Sequence, residues 1–129
     1  MNVLEIETAL QNFTGTEGYH KLGTSSIVVA TDGVAFLAKE ANAYWFTDII
    51  SSYQPIISRS VQYTALWDFQ VWKLTRNKTT NGAKVVCYDG NDNAVFSQRI
   101  PYTDFPLQEI TIWVEPQDKY MVMYLPSEH

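Results

Sequence analysis

A single cysteine, Cys87, in a chain of 129 residues leaves no way to brace the fold with an internal disulfide, which excludes a secreted, cross-linked scaffold. No run approaches the roughly 18 apolar residues a membrane span needs, and the start, Met1 to Glu7, carries neither the basic segment nor the apolar stretch of an export signal. A cytoplasmic location without membrane contact is therefore expected. The glycosylation-like triplets at Asn12 and Asn77 then carry no meaning. Histidine is equally scarce. Only His20 and the terminal His129 are present, too few for a zinc site, which takes three or four ligands. Positive charge is the rarer sign, with nine Lys and Arg against fourteen Asp and Glu and a formal net charge of -5. The cations are scattered; only Lys73, Arg76 and Lys78 lie close together, at what reads as the solvated end of a strand. Direct binding of nucleic acid is not expected from such a balance.

What the chain does have is apolar and aromatic mass. Hydrophobic residues make up 46% and aromatics 14%, enough for one hydrophobic core, and the length suits one domain over residues 1–129. Val3, Leu4, Ile6 and Leu10 form the apolar stripe of a short helix over 3–11. Phe13 to His20 breaks any period with two glycines and two threonines and reads as an irregular loop. Ser26 to Val29 suits a short strand or an extended lead-in. Thr31-Asp32-Gly33 supplies helix-capping acceptors, and Val34, Leu37, Ala38, Ala41, Trp45 and Ile49 recur at steps of three and four. That spacing predicts a helix over 32–53, with Asn42 as the place where it would bend or split in two. Pro55 should end it, since proline disfavours helical geometry in the residue ahead.

From Trp67 the residues turn β-branched and aromatic. Strands are expected over 67–75, 83–88, 94–100, 110–115 and 120–124, with a turn at 77–82, a tight hairpin at Asp89 to Asn93, a break at Pro101 to Pro106 and a turn at Pro116 to Asp118. Helices followed by consecutive hairpins imply an α+β fold: an antiparallel sheet of four to five strands, a C-terminal meander, packed by N-terminal helices on one face.

Several blocks, Phe13-Thr14-Gly15-Thr16-Glu17, Thr31-Asp32-Gly33-Val34, Ala43-Tyr44-Trp45, Ser52-Tyr53-Gln54, Phe69 to Leu74 and Tyr102 to Leu107, resemble the recurring blocks of a family of small uncharacterised bacterial proteins. That family is a domain of unknown function also met on plasmids and phage-like elements. The resemblance runs over most of the chain. It implies membership and setting, including an accessory role on a mobile element, and lends no catalytic residue.

Other motifs fail on their own chemistry. Asp89, Asn91 and Asn93 imitate the opening of a calcium loop, but the sixth and twelfth positions hold Ala94 and Ile100 where Gly and Glu are needed. Gly15 and Gly18 are followed by no Gly-Lys-Ser or Gly-Lys-Thr, and Glu17 beside them would repel phosphate. Cys87 in the middle of a strand reads as an inert core thiol and no partner for His20. Asp32 reads as a helix cap, Glu40 as a solvated helix residue and Asp104 as a turn residue. Asp48 lies one helical turn from Tyr44 and Trp45, as a hydrogen-bonded structural partner or a ligand contact. No cofactor is expected.

The aromatic residues exceed what one small core hides. The expected function is a non-enzymatic protein-interaction module, gripping another protein or its own copy as a homodimer through an aromatic and acidic surface. Trp45, Phe46, Tyr53, Trp67, Trp72 and Trp113 are the interface candidates. The alternative is a small-molecule binder or enzyme, with Glu17, His20, Tyr44 and Asp48 around a cleft between the 13–20 loop and the 32–53 helix. Mimicry of DNA by the acidic surface is a third idea, for which a net charge of -5 is modest.

Overall fold

Alternation of apolar and polar residues shapes the C-terminal half of the computed structural model, which describes residues 1–129. In β2 (Gln70–Asn77), the side chains of Gln70, Trp72 and Leu74 are buried while Val71, Lys73 and Thr75 point the other way. β3 (Gly82–Tyr88) buries Ala83, Val85 and Cys87 on the same side, and β4 (Ala94–Ile100) pairs with it along the edge. In β5 (Glu109–Gln117) Ile112 and Val114 face inward, and β6 (Tyr120–Tyr124) follows after a tight turn in which Asp118 takes a φ of 55°. One further strand, β1 (Val28–Ala30), completes a six-stranded sheet in the order β1-β6-β5-β2-β3-β4.

The sheet is mixed, which corrects the expectation of a wholly antiparallel one with four or five strands. β1 runs parallel to β6, pairing Val29 with Val122, while every other pair is antiparallel. Nor is the C-terminal half a simple meander. After β4 the chain returns past the end of β3 to place β5 on the far side of β2. The 101–108 stretch, expected as a mere break, makes this crossing and carries core residues: Phe105 and Leu107 are buried, the Thr103 amide donates to Asn81 O, and Arg76 Nη1 donates to Phe105 O at 2.8 Å.

Three α-helices pack on one face. α1 (Val3–Gln11) is held at its start by a reciprocal pair of bonds between Asn2 and Glu5, and buries Ile6 and Leu10. The helix expected over 32–53 is divided into α2 (Asp32–Glu40) and α3 (Tyr44–Ser58). Asn42 makes the break with a φ of 52°, the left-handed backbone that asparagine tolerates better than most residues. α3 then runs through Pro55 instead of stopping before it. A proline inside a helix deprives a carbonyl one turn earlier of its amide partner and crowds it. The carbonyl so deprived is that of Ser51; the Gln54 side chain bonds the neighbouring one, Ile50 O, at 3.0 Å.

Between the helices and the sheet lies one core that joins Ile6, Leu37, Phe46 and Ile50 to Trp72, Leu74, Ile112 and Met123. A short 3-10 segment, Val61–Leu66, links α3 to β2 and buries Leu66. Within the core sits a closed polar group: Gln54 and Gln70 exchange two amide bonds of 2.8 and 2.9 Å, and Trp72 Nε1 donates to Gln70 Oε1 at 2.8 Å.

Candidate functional site

The sequence candidates fall apart into two places. The 13–20 loop docks on the start of α2: Thr16 Oγ1 accepts from the Asp32 amide at 2.9 Å and donates to Gly18 O at 2.6 Å. His20 pairs through its backbone with Ala30 of β1, and its Nε2 donates to Asp32 Oδ1 at 2.8 Å. The Glu17 amide, not its carboxylate, reaches Asp32 Oδ2 at 2.9 Å. His20 first, and the Glu17 amide second, hold the Asp32 carboxyl below the ordinary carboxylate range. Asp32 is therefore not the helix cap that its position suggested. Thr31 is, accepting from the Val34 amide, while Asp32 is the anchor of the loop.

Tyr44 and Asp48 are not part of that cluster. Both are exposed on α3, the Asp48 carboxylate makes no hydrogen bond, and neither side chain is bonded to Glu17 or His20. The four residues expected around one cleft thus do not meet in a hydrogen-bonded group. Sequence reasoning missed Glu128. Its Oε1 accepts from Thr31 Oγ1 at 2.6 Å and from the Leu125 amide at 2.9 Å, and its Oε2 from the Gly33 amide at 3.1 Å. A carboxylate on free amides at a helix start is a stabilising pairing. It ties the 3-10 turn Pro126–Glu128 to α2.

The interface candidates also divide. Phe46 and Trp72 are fully buried, so no partner reaches them. Trp45 edges onto Phe105, and Tyr53 packs against Trp72 and Phe96. Trp67 remains partly exposed and donates to Ile57 O at 2.8 Å. Trp113 lies on the face of the sheet away from the helices, against Phe69, Tyr124 and His129.

That second face has no helix over it. One end is apolar, where Val29, Val122 and Tyr124 pack together with Trp113 and Tyr120. The Tyr124 hydroxyl is buried there without a hydrogen-bond partner, and burial first, the Glu115 carboxylate second, raise its pKa. The other end, over β2, β3 and β4, is a shallow trough of about 1090 Å³. Five of the nine cations line it, and none of its 15 lining residues is Asp or Glu. Lys84 stands directly across from Arg99 in the strand register. Lys73 makes a 3.5 Å contact with Glu109 at the margin, and Arg76 spends one guanidinium nitrogen on Phe105 O. The cations that looked scattered along the chain are brought together because antiparallel strands fold distant positions back on one another.

Two other sequence candidates are consumed by local structure. Asp89 accepts from the amides of Asn93 and Asn91 and from Asn93 Nδ2, which hold its carboxyl below the usual range and build the hairpin turn. Burial, with a lesser push from Asp89, drives the Cys87 thiol up to about 12, far from the range of a nucleophilic cysteine.

A family model covers residues 4–129, described as a family of unknown function, DUF6876. The chain belongs to that family. No curated protein and no solved structure matches it. Membership extends over both the helical half and the sheet, so the trough and the Asp32 cluster lie within the family's span.

Proposed function

We propose that this protein is a non-enzymatic protein-interaction module whose working surface is the uncovered face of its sheet. The observation that carries the reading is charge segregation: a chain of net charge -5 gathers five of its nine cations around one trough that no carboxylate lines. Exposed charges of one sign add little to stability, whereas a complementary field guides and selects a partner. The surface differs from the aromatic and acidic one expected from sequence, because Phe46 and Trp72 are core residues and the cations converge. An acidic protein segment suits the trough. A nucleic acid suits it less, since the overall charge opposes a polyanion and Tyr88 is the one ring in the trough on which a base could stack. If the chain travels on plasmids or phage-like elements, as its sequence blocks imply, the partner would be a protein of the host or of the element.

The test is the double variant Lys84→Glu/Arg99→Glu, compared with the unchanged chain in cross-linking capture from cells. Loss of the captured protein by about tenfold or more with the fold intact by circular dichroism is expected. Equal capture by both chains would sink the reading. A small-molecule binder or enzyme at the 13–20 loop draws on the exposed 2.8 Å pair of His20 and Asp32; a metabolite that raises the melting temperature of the chain but not of a His20→Ala variant would favour it.

A further inference from the structure

Sheet edges are where extended segments add, because each carries a row of unpaired amides and carbonyls. The two edges of this sheet are treated differently. β1, only three residues long, has its outer rim closed by His20, which exchanges two 2.8 Å backbone bonds with Ala30. β4 is seven residues long and pairs with β3 alone. It contains no proline and no lysine, and Arg99 is its one charge. Its protection is limited to that charge and to a register shift near its start, opposite Cys87 and Tyr88, after which Phe96 to Ile100 pair with β3 without interruption.

The side chains beside β4 differ by face. On the open face Arg99 and Lys84 are neighbours, with Lys73 one strand further in the next row. On the helix face Phe96 packs against Tyr53 and Tyr63 at centroid distances of 4.5 and 4.9 Å, leaving a half-buried aromatic shelf. Past the end of the strand a hollow of about 500 Å³ continues this shelf between Trp45, Ile49 and Tyr102. A strand laid along β4 would direct alternate side chains to a cationic face and to an apolar one.

We infer that β4 accepts an extended acidic segment of a partner protein as a seventh strand, its Asp or Glu residues over Lys84 and Arg99 and its intervening apolar residues on the Phe96 shelf. This rests on the interaction-module reading and names its mode of binding. A second copy fits less well: pairing β4 with itself would set two sets of Lys84 and Arg99 on one continuous face, between chains each of net charge -5.

The experiment uses the full chain and a fluorescent peptide of about eight residues in which Glu and Val alternate, the period of a strand. Two further peptides carry N-methyl groups on one or the other alternate set of amides, and a fourth has the same composition with all Glu before all Val. The alternating peptide is expected to bind. One methylated series should lose about tenfold or more while the other stays within about twofold, since only alternate amides face the neighbouring strand. Arg99→Glu should weaken binding, and salt should weaken it further. Equal binding of both methylated series, or of the block peptide, would overturn strand addition and leave the module reading standing as electrostatic docking. Absence of binding by every peptide, preference for a single-stranded oligonucleotide, or a dimer whose β4 amides are protected from hydrogen exchange without peptide would also overturn it. The failure of the module reading is seen separately, in unchanged cellular capture by the Lys84→Glu/Arg99→Glu chain.

Discussion

Gln70 touches both the backbone and the core, and its position shows how single side chains are committed here. It satisfies Gln54 and Trp72 and donates to Leu66 O at 3.2 Å, all inside the core. Gln70→Leu keeps the volume but strands the Trp72 Nε1 proton and the Gln54 amide, so a loss of roughly 2–4 kcal/mol is expected from urea unfolding, since each unsatisfied buried group costs about 1–3 kcal/mol. Cys87 should resist thiol reagents in the folded chain and react fully in denaturant; rapid labelling of the native chain would contradict its burial. Asp32 contributes in a pH-dependent way. Its carboxyl ionises below the ordinary carboxylate range, so the stability it adds is complete above that range and is lost as pH falls through its lowered pKa. Asp32→Asn should flatten part of the decline in urea midpoint on the acid side of pH 4. At this scale sequence reasoning grouped His20 with Glu17 in one candidate cleft and read Asp32 as a helix cap. The real partner, Asp32, is twelve positions away and becomes a neighbour only once β1 and the loop pair.

Elements were the most legible level. α1, β4 and β6 match their expected spans residue for residue, because period and turn chemistry decide them locally. What was hidden depends on tertiary partners. Ser26 to Val29 suits a short strand or a lead-in, but three residues are too few to show that β1 joins the sheet parallel to β6, and the crossing at 101–108 looked like a proline-marked break while Phe105 and Leu107 were already core residues. Pro55 sits inside α3 because packing of Ile50, Gln54 and Ile57 outweighs the local rule. Asn42 makes a sharper prediction. Since it holds a left-handed conformation between α2 and α3, Asn42→Gly should be neutral or slightly stabilising, and Asn42→Val should cost roughly 1–2 kcal/mol or more. Equal thermal midpoints for the two variants would show that the junction relaxes.

The charges of the whole molecule set function against stability. Lys84 and Arg99 face each other across β3 and β4, and like charges in that position repel. Arg99→Glu should therefore raise stability by roughly 0.2–1 kcal/mol while weakening any acidic partner, a divergence readable by comparing urea midpoints with peptide affinity. The trough was not legible along the chain, although reflecting the expected strands through the turns near residues 80 and 91 already brings Lys84 beside Arg99. Knowing the register, and not the composition, is what reveals it.

The parallel pairing of β1 with β6 sets a timetable for synthesis. β2 to β4 can form hairpins as soon as they leave the ribosome, whereas β1, made long before, waits for residues 120–124 to join it to β5. A chain truncated after residue 117 would keep most of its core residues but leave β1 without the strand it pairs with. The segment from 120 to 128 is thus the clasp of the sheet, fastened to the start of α2 by Glu128.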